Sequence, residues 1–288
     1  MIDFKALAAQ ATADTGIDMT KAQKGGGGSA YEPPKAGFCL LRLVGYFEIG
    51  KHESTFQGAT SLKDKVQLVF ELSGPNHPPK VLEDGTKIPL RMTIEENFSL
   101  NEKARFFKLF QSMNYKGEAQ HMVALIDEAF KARVVHRKYK KRDGSEGTAA
   151  ELFDRAAGAY TIAPPRVEAL DPDTGMPTGE LKVVPVPPAL TEHKAFMWNN
   201  PSLGQWDSLF IDGEYPARTD DAGNVIAPAR SKNVIQNTIR SAVNFKGSPI
   251  DVLLQSRGGK VLDIPEPEKV VSKAAAVATD GDLLNGIV

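Results

Sequence analysis

The chain has 288 residues, 41% hydrophobic and 25% charged, with 35 Lys and Arg against 36 Asp and Glu for a net charge of −1. This ordinary globular composition excludes a binder that works through bulk positive charge; any cationic surface has to be gathered on one face. One cysteine, Cys39, excludes an intramolecular disulfide and the usual zinc clusters, and its apolar neighbours mark it as a small core residue in a reducing compartment.

No apolar run approaches the roughly 18 residues that cross a bilayer. The start, MIDFKALAAQ, has an early Asp, a short apolar region and no basic lead-in, so no signal peptide is expected and a soluble, intracellular chain is. Asp3 to Ala11 can form a short helix with Phe4, Leu7 and Ala8 on one side. The run Gly25 to Gly28 follows no strand, precedes no Gly-Lys-Ser/Thr, and lies just before Pro33 and Pro34, which block a helix. It reads as a linker, which makes residues 1–30 a tethered arm.

The stretch GFCLLRLVGYFEIGKHE predicts a long first strand with Cys39, Leu41, Leu43, Phe47 and Ile49 on one face and Arg42, Val44 and Tyr46 on the other; Gly45 predicts a bulge or bend. After a polar loop with Phe56, Lys65 to Leu72 reads as a second strand, Val66, Leu68, Phe70 and Leu72 inward, closed by GPNHPP. Ile88 to Ile94 reads as a third strand. A helix follows, with Ser99 and Glu102 in capping-box spacing and Phe106, Leu109, Phe110 and Met113 at helical spacing.

His121 to Glu128 connect to FKARVVHRKYKKR, Phe130 to Arg142, a strand that puts Arg133, Val135, Arg137 and Tyr139 on one face and Ala132, Val134 and His136 on the other. Guanidinium groups beside an aromatic ring suit a phosphate backbone with unstacked bases; a charged edge strand that discourages pairing is the other reading. DGSEG is a turn, Ala149 to Ala156 a short helix, and Gly158 to Ala163 a fifth strand. Three strands, a helix and two strands, with a bent first strand, is the order of the five-stranded OB-fold barrel. Residues 31–165 are therefore expected to form an elaborated OB-fold core in a mainly β, α+β chain. An SH3-like barrel and an open-sheet α+β domain are the competitors.

Residues 166–257 read as an extension packing on that core, or as a subunit interface. Val167 to Pro188 is an extended excursion in which DPDTG is a turn and not a calcium loop, because the later ligands and closing Glu are missing. Glu192 to Asp212 holds Trp198 and Trp206 and runs into a strand at Ser208 to Asp212. Ser231 to Asn244 is an amphipathic helix with Val234, Ile235, Ile239 and Val243 on one side, and Asp251 to Leu254 a further short turn. Residues 258–288 have the composition of a disordered tail; the terminal DGDLLNGIV is a weak recruitment signal.

Catalytic chemistry is not spelled out. The five histidines are scattered, the adjacent Glu95 and Glu96 point to opposite faces of a strand, and neither a Gly-x-Ser-x-Gly elbow nor a phosphate loop is present. No catalytic residue, metal or cofactor is expected, and a metal-dependent nuclease is the minor alternative. What accumulates is cations and aromatics opposite the apolar stripes: Arg42, Tyr46, Lys51, Phe56, Lys63, Lys65, Arg91, Arg133, Arg137, Tyr139 and Lys140. Cations for phosphate and rings for bases, trained on one groove, make a single-strand binder.

The run KGGGGSAYEPPKAGFCLLRLVGYFEIGKHESTFQG, then KDKVQLVFELSGPNHPP, and later WDSLFIDGEY and SKNVIQNTIRSAVNF, resembles the single-stranded DNA-binding proteins of tailed bacteriophages, podoviruses in particular. The resemblance covers Lys24 to about Leu254 and rests on texture, not on a catalytic motif. It implies an OB-fold core and sequence-independent, non-enzymatic coating of single-stranded DNA in replication or recombination, in the cytoplasm of the infected bacterium. It also implies contact with RNA polymerase or replication proteins, and the alternative function is modulation of transcription through such a polymerase. A homo-oligomer or cooperative filament on DNA, and no membrane partner, complete the expectation.

Overall fold

A computed structural model describes residues 32–56, 58–141, 144–219 and 225–257. The expected N-terminal arm with its helix and glycine linker, and the expected C-terminal tail, lie outside these residues.

Strands far outweigh helices. The apolar run after Pro34 forms β1 (Gly37–Phe56), which turns back into β2 (Ala59–Ser73), and β3 is Leu90–Asn97. Helix α1 (Arg105–Met113) leads through a 3-10 turn at Met122–Leu125 to β4 (Ala129–Lys140) and β5 (Glu146–Glu151). These five pair antiparallel in the order β3-β2-β1-β4-β5. Among the described residues β3 and β5 share no ladder, so the expected barrel is not closed.

Beyond β5 the chain makes a hairpin, β6 (Arg166–Leu170) and β7 (Pro177–Val183), and a short β8 (Lys194–Phe196) that pairs parallel with Gly45–Phe47 of β1. Three short helices follow: α2 (Leu203–Ser208), α3 (Val234–Arg240) and α4 (Pro249–Ser256). No helix among the described residues is long and apolar enough to cross a membrane.

The free edge of β1 is satisfied piece by piece, as buried backbone groups require. Gly37–Arg42 pair with β4, Leu43 exchanges hydrogen bonds with Asp127 and Glu128, Gly45–Phe47 take β8, and Lys51 accepts from Val243 N. The bulge expected at Gly45 is present, as a register shift between Leu43 and Gly45. It inverts the alternation: Leu43 and Tyr46 face one side, Val44 and Phe47 the other.

β1 is therefore buried on both faces. One face, with Leu41, Leu68, Phe70 and Phe130, packs against Phe106, Leu109 and Met113 of α1. The other, with Val44, Phe47, Ile49 and Val69, packs against Phe196, Trp206, Ile235, Ile239 and Ile250. Cys39 lies in the first core, where burial pushes its thiol up to about 12. At ~25 cal/mol per Å² of apolar surface, sealing the second face adds to stability alongside the larger first core.

Several expectations change. Ala149–Ala156 is not a helix: Glu146–Glu151 is the fifth strand of the sheet, because the tight turn after β4, where Lys141 N donates to Ser145 O at 2.8 Å, feeds it straight into β4's edge. Tertiary pairing overrides alanine's helix preference there. Of Gly158–Ala163, only Ala159–Tyr160 is a strand, paired with Phe153–Asp154, and Ala163 bridges Lys131. The Ser99–Glu102 box does not form, since α1 begins at Arg105 with no side-chain cap. Ile88 pairs with Lys80 in a separate hairpin, and the segment after α2 is irregular. Val243 is exposed; Ala242 takes the buried place on that side.

Candidate nucleic-acid interface

The expected site residues divide into a middle group and two ends. In the middle, Arg42, Glu71 and Arg91 form one row across β1, β2 and β3. The face they occupy is covered by residues 186–191, so it is not open to a ligand. Arg42 donates to Pro187 O and Val186 O, each at 2.9 Å, and to the backbone and carboxylate of Asp127. Glu71 accepts from Leu190 N and Thr191 N. Arg91 is half-buried, and burial lowers its pKa against the charges of Glu71 and Tyr215.

Tyr46 is fully buried: it stacks edge-on against His121 and donates to Glu48 at 3.2 Å. Burial, then the Glu48 charge, raises its phenol pKa. As a base-stacking platform Tyr46 is ruled out, and Arg42 is a brace for the strap above it. The cause is the bulge, which carries Tyr46 into the first core.

At one end, the β1–β2 ribbon carries Lys51, Lys63 and Lys65. Lys51 lies 3.7 Å from Asp64, and Lys65 is held at 2.8 Å by Glu95, which also accepts from Gln67. Burial would raise the Glu95 carboxyl, but Lys65 and Gln67 hold it below the usual range. Lys63 is exposed, with no ion pair to a described residue. Phe56 ends β1, and its side chain is outside the described set.

At the other end is the β4–β5 hairpin. Because Gly37 pairs with Val134, residues 135–140 of β4 run past the start of β1 and pair with β5 alone. The ladder thus separates Arg137, Tyr139 and Lys140 from the ribbon lysines by the length of β1. The predicted alternation holds here: Ala132 and Val134 are buried while Arg133 is exposed. Tyr139 lies across Gly147, where an added Cβ would come within 2.6 Å of the ring, and the Arg137 guanidinium stands 5.7 Å from the ring centroid.

Arg137 and Arg155 both grip Glu151, at 2.5 Å and 3.0 Å, and Arg133 binds Asp154 at 2.7 Å. Burial would raise Glu151, but hydrogen bonds and charge from Arg155 and Arg137 hold it below the ordinary carboxylate range. Asp154 is held low by the Ala157 and Ala156 amides and by Arg133. Lys138, Lys140 and Lys141 are exposed. Against the acids Glu146, Glu151 and Asp154, the hairpin keeps a cationic excess.

Lys138, Lys141, Arg155, Arg105 and Phe153 were not in the expected set. The first two stand in the same basic run and were legible there; Arg155 was hidden by the helix assigned to its segment. Arg105 and Phe153 meet only in three dimensions, the guanidinium 5.1 Å from the ring, with Phe153 against Tyr160. Glu96 of β3 accepts from Tyr160 at 2.5 Å and from Arg105 at 3.1 Å, which ties the end of β3 to the segment after β5 and to α1.

The other buried carboxylates are structural. Glu48 accepts from Trp198 N at 2.7 Å and Glu71 holds the strap. Among the described residues no group of three or more His, Cys, Asp or Glu is arranged to hold a metal ion. Comparison of the chain with protein-family models, curated proteins and solved structures finds no match.

Proposed function

We propose that the chain is a non-catalytic, sequence-independent single-stranded DNA-binding protein of a tailed phage, coating single strands in replication or recombination. Its sheet is a variant of the OB-fold in which β3 and β5 do not pair and Glu96 ties β3 to the segment after β5. The order β3-β2-β1-β4-β5 with a helix between β3 and β4, and a first strand bulged to serve two neighbours, supports that reading.

One observation carries the function: the β4–β5 hairpin sets the half-exposed Tyr139 ring and its Arg137 neighbour on one face of β4 and the exposed cations Lys138 and Lys140 on the other, with the exposed Lys141 just beyond. A ring that accepts any base and cations that accept any phosphate bind a strand without reading its sequence. The usual OB ligand face, over β2 and β3, is occupied here by residues 186–191 and the second core, so the strand would bind around the hairpin, with Lys63 of the ribbon as a separate contact.

The test is fluorescence anisotropy with labelled oligo-dT and with the matching duplex across a salt series. Tight single-strand binding, weak duplex binding and a steep salt slope are expected. Arg133→Ala with Arg137→Ala should flatten the slope by roughly 0.7 per lost phosphate contact. Tyr139→Ala should weaken binding about tenfold with little change in slope, as a stacking loss of roughly 1–3 kcal/mol requires. No binding at low salt would overturn the function; binding untouched by all three changes would overturn the hairpin as its site.

A further inference from the structure

The outer strand of the β6–β7 hairpin, β7, is exposed along its whole length. It pairs with β6 alone among the described residues. Leu181 and Val183 are 61% and 68% exposed, beside Leu170 at 62%. A β-bulge interrupts the hairpin between Glu168 and Leu170, with Gly179 at φ +78°, so the regular free edge is the segment from Glu180 to Val183; an exposed edge of this kind is a template for another strand.

The sequence of β7 specifies which strand. Val184 N donates to Pro165 O at 2.8 Å across the hairpin, and Arg166 stands opposite Val183. Antiparallel ladders alternate, so Lys182 turns its main-chain groups toward β6 while Leu181 and Val183 turn theirs outward. Outward groups can meet only outward groups, which limits two antiparallel copies of β7 to registers centred on a residue.

Centring on Glu180 sets Glu180 against Glu180, and centring on Lys182 sets Lys182 against Lys182. Centring on Leu181 sets Glu180 of each copy against Lys182 of the other, twice. Those two positions are non-hydrogen-bonded pairs, where side chains approach most closely. Neither Glu180 nor Lys182 has an ion-pair partner among the described residues, so both are available. The same register joins the two Leu181 backbones by reciprocal hydrogen bonds and brings both copies of Leu181 and Val183 onto one apolar strip.

We propose that β7 is a homodimer interface: two copies of the chain pair antiparallel about Leu181 into a four-stranded sheet, with two Glu180–Lys182 contacts fixing the register. The contact is isologous, so it closes at two copies.

Sedimentation velocity of the full chain, without nucleic acid, tests this independently of any DNA binding. The wild type should show a concentration-dependent monomer–dimer equilibrium. Glu180→Lys and Lys182→Glu each replace both attractive pairs with repulsive ones and should weaken dimerisation about tenfold or more. The double charge reversal restores complementarity and should recover wild-type affinity to within about threefold. Leu181→Pro, which removes the outward N–H at the axis, should give monomer. Circular dichroism melts of these exposed-site variants should match the wild type. A wild type that stays monomeric throughout, single reversals that dimerise as well as the wild type, or a double reversal that stays weak would each overturn the proposal.

Discussion

Gly50 is where the C-terminal layer is keyed into the sheet, and Gly50→Ala measures how tightly. Gly50 has φ +84°, and a Cβ there would lie 2.3 Å from Trp198 Cζ3 and 2.7 Å from the Ala242 Cβ. A left-handed alanine costs about 1–2 kcal/mol by itself. Carbons normally rest at ~3.5–4.0 Å, so the indole would have to move by more than about 1 Å. It is not free to do so, because Trp198 N is bound to Glu48 at 2.7 Å and the ring packs on the second core.

Overpacking of this kind adds roughly 1–3 kcal/mol, so Gly50→Ala should cost about 2–5 kcal/mol. Gly58→Ala is the matched control: its φ is +81°, with nothing within 4 Å of the added Cβ. It should cost only the backbone term, about 1–2 kcal/mol. Urea unfolding gives both numbers. Both tryptophans, Trp198 and Trp206, belong to the C-terminal layer, so their fluorescence follows that layer while far-UV circular dichroism follows the whole sheet. In Gly50→Ala the fluorescence transition should come first. If the two variants lose the same stability within a few tenths of a kcal/mol, the contact with Trp198 carries no weight and the reasoning fails.

Glu151→Gln should raise affinity for oligo-dT several-fold and steepen the salt slope, since it frees Arg137 and Arg155 for phosphate; an unchanged slope in the anisotropy titration would show that neither arginine reaches the strand. Removing the four hydrogen bonds of Arg42 with Arg42→Met should destabilise the protein by about 2–4 kcal/mol, scaled from roughly 1.5–3 kcal/mol for a charged hydrogen bond with partial compensation, and limited proteolysis should then cut first near Val186–Pro187. The carboxyls of Glu95 and Glu151 are lower in the folded chain than unfolded. Their contribution to stability is therefore complete above pH ~4.5 and lost as pH falls through the lower folded values. Urea midpoints measured across that window should fall less in a Glu95→Gln, Glu151→Gln double variant than in the wild type.

The strands with clean alternation were legible: Val66, Leu68, Phe70 and Leu72 face one core, as their spacing requires, and Arg133 opposes Val134 across β4. β1 carried a second message that period-two reading missed. Its run from Cys39 to Ile49 is largely apolar on both faces, which is how a doubly buried strand reads; the extra residue at the bulge then exchanged the faces of Tyr46, Phe47 and Ile49. Glu146–Glu151 failed for the opposite reason, because Ala149 and Ala150 favour a helix locally and only β4's edge makes them strand.

The site was legible in part. Cations were visible as cations, but the acids that neutralise them come from other elements: Asp154 for Arg133, Glu151 for Arg137, Glu95 for Lys65. Arg42 finds its acceptors some 145 residues away, a distance over which local pattern says nothing.

A strand shared by two cores also fixes an order of events. During synthesis the elements from β1 to Ile162 that build the first core emerge first, while Phe196, Trp206, Ile235 and Ile250 arrive later. In that interval Val44, Phe47, Ile49 and Val69 stand as an uncovered apolar face on an otherwise formed sheet. The C-terminal segment, whose own ladders beyond β8 are only two or three residues long, folds by using that face as its template. The nascent chain is thus most exposed to misassociation just after its first core has formed.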